Sequence, residues 1–212
     1  MDFNSVLNQV LSVAQEQVKK TINGNSNTDK VTKIGGGAAA IGILSMIFGR
    51  NGGAGLAKLG SLAALGSLAY QAYQDYQTKQ VKGNSSVTEK EFTQSAEHSS
   101  ADVSKVILQT MIAAAAADGA ITEEEKQAIL SHAGEDPEVQ QWIQQEMYQP
   151  ATVQEIAEQV GDNPALATQV YLAARVVCSN LERKEIVFLA NLAQALGLED
   201  ALVEQLEKQA GF

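Results

Sequence analysis

Phe3, Val6, Leu7, Val10, Leu11, Val13, Ala14 and Val18 recur at helical spacing, while Asn4, Asn8, Gln9, Gln15, Glu16 and Lys19 fill most of the other face. The pattern predicts an amphipathic helix within residues 1–22. Such a helix packs on another helix or lies on a membrane surface. Packing is the expectation, because the polar face lacks the Lys/Arg richness of lipid-bound helices. Asn23-Gly24-Asn25-Ser26-Asn27 then reads as a loop.

Two uncharged runs of sixteen residues follow, Ile34 to Gly49 and Leu59 to Gln74. Ten of the seventeen glycines fall between residues 35 and 66. In water each glycine costs a helix about 1 kcal/mol relative to alanine. In lipid the helix forms regardless, because its backbone has no other partner, and small residues let helices touch. Gly53, Ala57 and Ser61 fall four apart, as do Gly60 and Ala64. With Gly42 and Gly49 they are the candidate helix-packing positions. Residues 34–76 thus read as a Gly-rich apolar hairpin in contact with membrane lipid. Sixteen residues span about 24 Å, short of the ~30 Å bilayer core, so the hairpin would thin the bilayer or insert part-way. Lys30 and Lys33 before it, and Lys79 and Lys82 after it, put both ends in the cytoplasm.

Residues 77–100 are polar and read as a flexible linker. Residues 101–212 read as a run of punctuated helices: about Ala101 to Ala117, Thr122 to Ala133, Pro137 to Tyr148, a helix capped by Thr152 and Glu155, Pro164 to Cys178, Leu181 to Leu196, and Glu199 to Gln209. The fold class expected is all-α. An internal echo runs through this part. Met111-Ile112-Ala113-Ala114 leads to Ile121 and Glu125, and Tyr171-Leu172-Ala173-Ala174 leads to Leu181 and Glu185 at the same offsets. It predicts two related helix pairs packed face to face.

Charge separates the halves. Residues 1–100 carry nine Lys/Arg against seven Asp/Glu, and residues 101–212 carry six against eighteen. The acidic rear repels phosphate, so no nucleic-acid partner is expected. Cys178 stands alone in an apolar helical run and reads as a small buried hydrophobe. No basic n-region opens the chain, so no cleavable signal peptide is expected.

The chemistry-bearing stretch is Asp118-Gly119-Ala120-Ile121-Thr122-Glu123-Glu124-Glu125, after five alanines. It matches the second half of a calcium loop, but Ala114 and Ala116 stand where the first carboxylates belong. Asp118 and Glu125 are nonetheless the candidate metal residues. The plainer reading is a capped turn, with Thr122 and Glu125 as a capping box and acidic residues favoured at a helix start.

The Ala-rich helix, Ala-Asp-Gly-x-Ile-x-x-x-Glu, and the run Tyr171 to Leu198 resemble the TerB-like domain of tellurite-resistance proteins. With the Gly-rich front, the chain resembles the YebE family of bacterial inner-membrane proteins of unknown function. In such families Asp residues precede the Glu of the second helix pair, whereas Ser179, Asn180 and Leu181 stand there here and only Glu185 matches. The resemblance implies an inner-membrane protein with a cytoplasmic helical domain at residues 101–212.

No phosphate loop, zinc signature or nucleophile elbow is present, and His98 and His132 have no partner motif. The expectation is a non-enzymatic, membrane-associated protein without a cofactor. Its acidic domain would bind a protein partner or sense stress, and residues 34–76 are the candidate for self-association. The alternative is a soluble metal-responsive domain that binds a divalent ion.

Overall fold

The computed structural model describes residues 3–8, 11, 62–79, 88–89, 91–92, 101–117, 137–178 and 181–212. Among these, every regular element is a helix: α1 Leu62–Lys79, α2 Ala101–Ala116, α3 Pro137–Tyr148, α4 Val153–Val160, α5 Pro164–Val177, α6 Arg183–Ala195 and α7 Asp200–Ala210. The chain is all-α in its described part.

Local chemistry sets the boundaries. Glu155 N–H donates to Thr152 Oγ1 at 3.2 Å, and Thr152 N–H donates to Glu155 Oε2 at 2.8 Å, which closes the expected capping box of α4. Gly161, at φ 58°, ends that helix. Asn163 Oδ1 accepts from Leu166 N–H at 3.0 Å, and Pro164 opens α5 where no N–H is required. Gly197, at φ 66°, closes α6: its N–H reaches Gln194 O and the next N–H reaches Ala193 O, the paired bonds of a Schellman turn.

α5 is the axis of the body. Every residue from Ala165 to Val177 is buried, so the helix is covered all round rather than on one stripe. α1, α2, α6 and α7 lie against it. Its alanines let neighbours approach closely. The echoing segments Met111–Ala114 and Tyr171–Ala174 are buried on α2 and α5, two helices packed on each other.

Of the stretch read as a lipid-contacting hairpin, residues 62–76 are described, and they pack on protein. Leu62–Lys79 is one helix lying along α7 and α5, with Leu65, Ala69 and Ala72 buried. Their spacing of four and three forms a single stripe. Small apolar residues suit close packing on protein helices as well as on helices in lipid, so composition alone did not distinguish the two. Polar pairs seal the far end: Lys79 Nζ donates to Gln205 Oε1 at 3.0 Å, and Gln209 Nε2 donates to Asp75 Oδ2 at 2.6 Å. No helix among the described residues is long and apolar enough to cross a membrane.

The stretch read as a flexible linker, residues 77–100, is tied down at Phe92. That ring is fully buried, edge-on to Tyr70 at 5.4 Å and tilted against Tyr73 at 5.6 Å. At the amino end residues 3–8 are helical, and Phe3, Leu7 and Leu11 are buried. Phe3 meets the Trp142 ring edge-on at 4.9 Å, and Ser104 donates its hydroxyl to Asn4 Oδ1.

Candidate functional site

The end of α5 and the start of α6 are each fixed by local bonds. Cys178 is fully buried and caps α5, its N–H on Ala174 O at 3.0 Å. Leu181 follows at φ 49°, a left-handed conformation that a non-glycine residue enters at a cost of about 1–2 kcal/mol. Glu182 N–H then donates to Glu185 Oε2 at 2.8 Å. Glu185 is the residue that the echo pairs with Glu125. It serves here as a helix-capping carboxylate, accepting from the main chain.

Beyond this turn α6 buries Leu189 and Leu192 and leaves its other face bare. Ile186 is 50% exposed and Val187 53%, beside an exposed Leu181. A groove of about 550 Å³ runs along this face, lined by Ala117 from the end of α2 and by Arg183, Lys184, Val187, Phe188 and Asn191 from α6. Its walls offer apolar surface, two cations and one amide. Arg183 and Lys184 stand in the first turn of a helix, where the helix dipole disfavours positive charge. They are two of only six cations among residues 101–212. That pair against the dipole is the signal by which the sequence could have pointed here. The exposure of Ile186 and Val187 had no such signal, because Ile-Val-Phe-Leu-Ala is apolar on every face.

Two buried polar clusters serve structure. Gln159 Nε2 donates to Gln109 Oε1 at 2.9 Å, and Gln109 Nε2 donates to Glu146 Oε1 at 2.8 Å. Burial pushes the Glu146 carboxyl above its ordinary range, although the Gln109 hydrogen bond and the Lys105 charge pull the other way. Tyr171, Arg175 and Glu207 join α5 to α7. Neither cluster opens onto the groove residues.

The residues singled out from sequence are mostly elsewhere. Asp118, Glu125, Gly42, Gly49, Gly53, Ala57, Gly60 and Ser61 lie outside the described residues. Ala64 is half-buried in the first turn of α1. Among the described residues no three His, Cys, Asp or Glu side chains gather as metal ligands would. Trp142 and Met147 are buried on α3, and Tyr148 at its end is exposed.

No curated protein matches the chain, and no solved structure does. Residues 33–210 match a protein family described as "Protein of unknown function (DUF533)". The match spans the glycine-rich segment, α1 and the whole helical body up to the end of α7, and the chain therefore belongs to the DUF533 family.

Proposed function

We propose that the protein is a non-enzymatic, membrane-associated binding protein whose acidic helical body docks a protein surface on the head of α6. The observation that carries this reading is the half-exposed pair Ile186 and Val187 beside a groove with Arg183 and Lys184 on its wall. Fully burying an aliphatic side chain of this size is worth about 1.5–3 kcal/mol, so a partner covering both gains affinity from few contacts. The surrounding body carries eighteen acidic residues against six basic ones over residues 101–212. That balance opposes anionic lipid and nucleic acid as partners of the body as a whole.

Lipid contact belongs to residues 34–61 in this reading. The sixteen uncharged residues from Ile34 to Gly49, with Lys30 and Lys33 before them, support it. The TerB-like character of the body rests on the Ala-Asp-Gly-x-Ile-x-x-x-Glu motif and the run Tyr171 to Leu198, and its cytoplasmic placement at the bacterial inner membrane on the Gly-rich front flanked by Lys30, Lys33, Lys79 and Lys82.

Two measurements test the proposal. The full chain should pellet with phospholipid vesicles, a deletion of residues 34–58 should not, and Val187→Glu should pellet as the parent does. A full chain that stays in the supernatant removes the membrane part. A photo-crosslinking residue at Val187 should give adducts that Lys184→Glu abolishes and that the same probe at the exposed Glu204 does not form. Identical patterns at both positions remove the docking face.

A further inference from the structure

Resting on the lipid contact proposed above, we infer that the helical stretch from Phe3 to Leu11 is a clasp over Trp142, which leaves the body for a phospholipid surface once the glycine-rich segment holds one. Phe3, Leu7 and Leu11 are buried, and Val6 packs partly against the same core. Their spacing is that of one helix face. The body meets this face at Trp142, edge-on to Phe3 at 4.9 Å, and Ser104 donates to Asn4 beside it.

Isolated helices shorter than about 12–15 residues are marginal in water, and Phe3 to Leu11 is a stretch of nine. The stretch therefore keeps its shape only while something apolar covers Phe3, Leu7 and Leu11. The body is one such cover. A bilayer interface, which takes in the apolar side of an amphipathic helix, is the other. Residues 1–11 carry Asp2 and no Lys or Arg, so apolar insertion rather than charge would hold them on lipid, and a neutral bilayer suffices.

The two ends of the glycine-rich segment are unequally held. Behind it, α1 is fixed by its buried stripe, by the Phe92 ring and by the Lys79–Gln205 and Asp75–Gln209 pairs. In front, Ile34 stands 23 residues after Leu11, so a surface that grips it lies within about 83 Å of the clasp. That tether makes transfer of the clasp to the same surface an intramolecular step. The short front helix is the end that gives way.

The experiment uses the full chain and neutral phosphatidylcholine vesicles, with pelleting and tryptophan emission read on the same samples. Trp142 is the single tryptophan of the chain and is 9% exposed. Its emission should shift to longer wavelength and acrylamide should quench it more once the chain pellets. Neither change should occur in the chain lacking residues 34–58. Phe3→Trp combined with Trp142→Phe moves the reporter onto the clasp, where brominated phosphatidylcholine should quench it; Trp142 in the parent should not be quenched. Asn4→Cys joined by a disulfide to Ser104→Cys should pellet as the parent does with Trp142 emission unmoved, and reduction should restore the shift; the native Cys178 is fully buried and stays silent. A chain that pellets with Trp142 emission unchanged overturns the clasp and leaves the membrane reading standing. A chain that does not pellet removes both. A reporter at position 3 that brominated lipid leaves unquenched also overturns the clasp.

Discussion

Arg175 Nε lies 3.0 Å from Glu207 Oε1, and the Tyr171 hydroxyl donates to that same oxygen at 3.0 Å. The guanidinium also reaches Cys178 O at 3.0 Å and covers the Phe212 ring at 4.0 Å from its centroid. One carboxylate thus satisfies two donors from α5 and pins α7 to it. Burial, with the Glu207 charge adding to it, pushes the Tyr171 hydroxyl far above its ordinary range, so it stays a donor at any working pH.

Removing Glu207 leaves a buried guanidinium without its carboxylate. Glu207→Ala should destabilise the chain by about 3 kcal/mol, the lower part of the range for broken buried pairs, because the Glu207 side chain is a third exposed. Glu207→Gln should lose less, since the amide oxygen still accepts. Urea unfolding, with the slope unchanged and the midpoint lowered, checks this.

Phe92 anchors the segment between α1 and α2. Phe92→Ala should cost about 4 kcal/mol through the cavity left against Tyr70 and Tyr73. Hydrogen exchange should then rise in α1 before it rises in α4, because α1 loses its aromatic clamp. Uniform exchange in both would contradict the packing of α1 on the body.

Ala174 is fully buried where α5 meets its neighbours. Ala174→Leu should destabilise by about 2 kcal/mol through overpacking. Ala201→Leu, on the exposed side of α7, should change stability by less than about 0.5 kcal/mol. Thermal melts of the two variants check the contrast.

Two carboxylates give opposite pH responses. Burial raises Glu146 above 4.5, so the folded chain holds that proton more tightly than the unfolded chain does. Its contribution is complete below pH 4.5 and is lost as pH rises through the folded value. Hydrogen bonds from the Thr152 backbone and hydroxyl lower Glu155, so its contribution is present above 4.5 and is lost as pH falls through its folded value. Glu146→Gln should raise the melting temperature at neutral pH and flatten the acidic limb. Glu155→Ala should lower it at neutral pH and have little effect in acid. Melting temperature followed across pH for each variant reads both signs.

What the sequence made legible was local. Thr152 with Glu155, Asn163 with Pro164, and Gly197 each fix a boundary by chemistry within a few residues, and each boundary stands where that chemistry puts it. α6 begins at Arg183 rather than Leu181, because Leu181 takes a left-handed conformation that no propensity foretells. The neighbours of Leu65, Ala69 and Ala72 were not legible, since their burial depends on α7, more than 120 residues away. Polar residues along α1 held the missed signal: Asp75 and Lys79 find partners in Gln209 and Gln205, which a lipid-facing helix would not offer. The face of α6 was hidden for a similar reason. Which side of an all-apolar run stays bare is decided by the helices around it.

The seating of α1 also sets a short leash. Leu65 is fixed in the core, and Ser61 is only four residues before it. At no more than about 3.6 Å per residue, the carboxyl end of the glycine-rich segment stays within about 15 Å of Leu65. A bilayer or partner that grips the carboxyl end of that segment therefore holds the acidic body close against itself, whereas a grip at Gly49, sixteen residues before Leu65, allows up to about 58 Å.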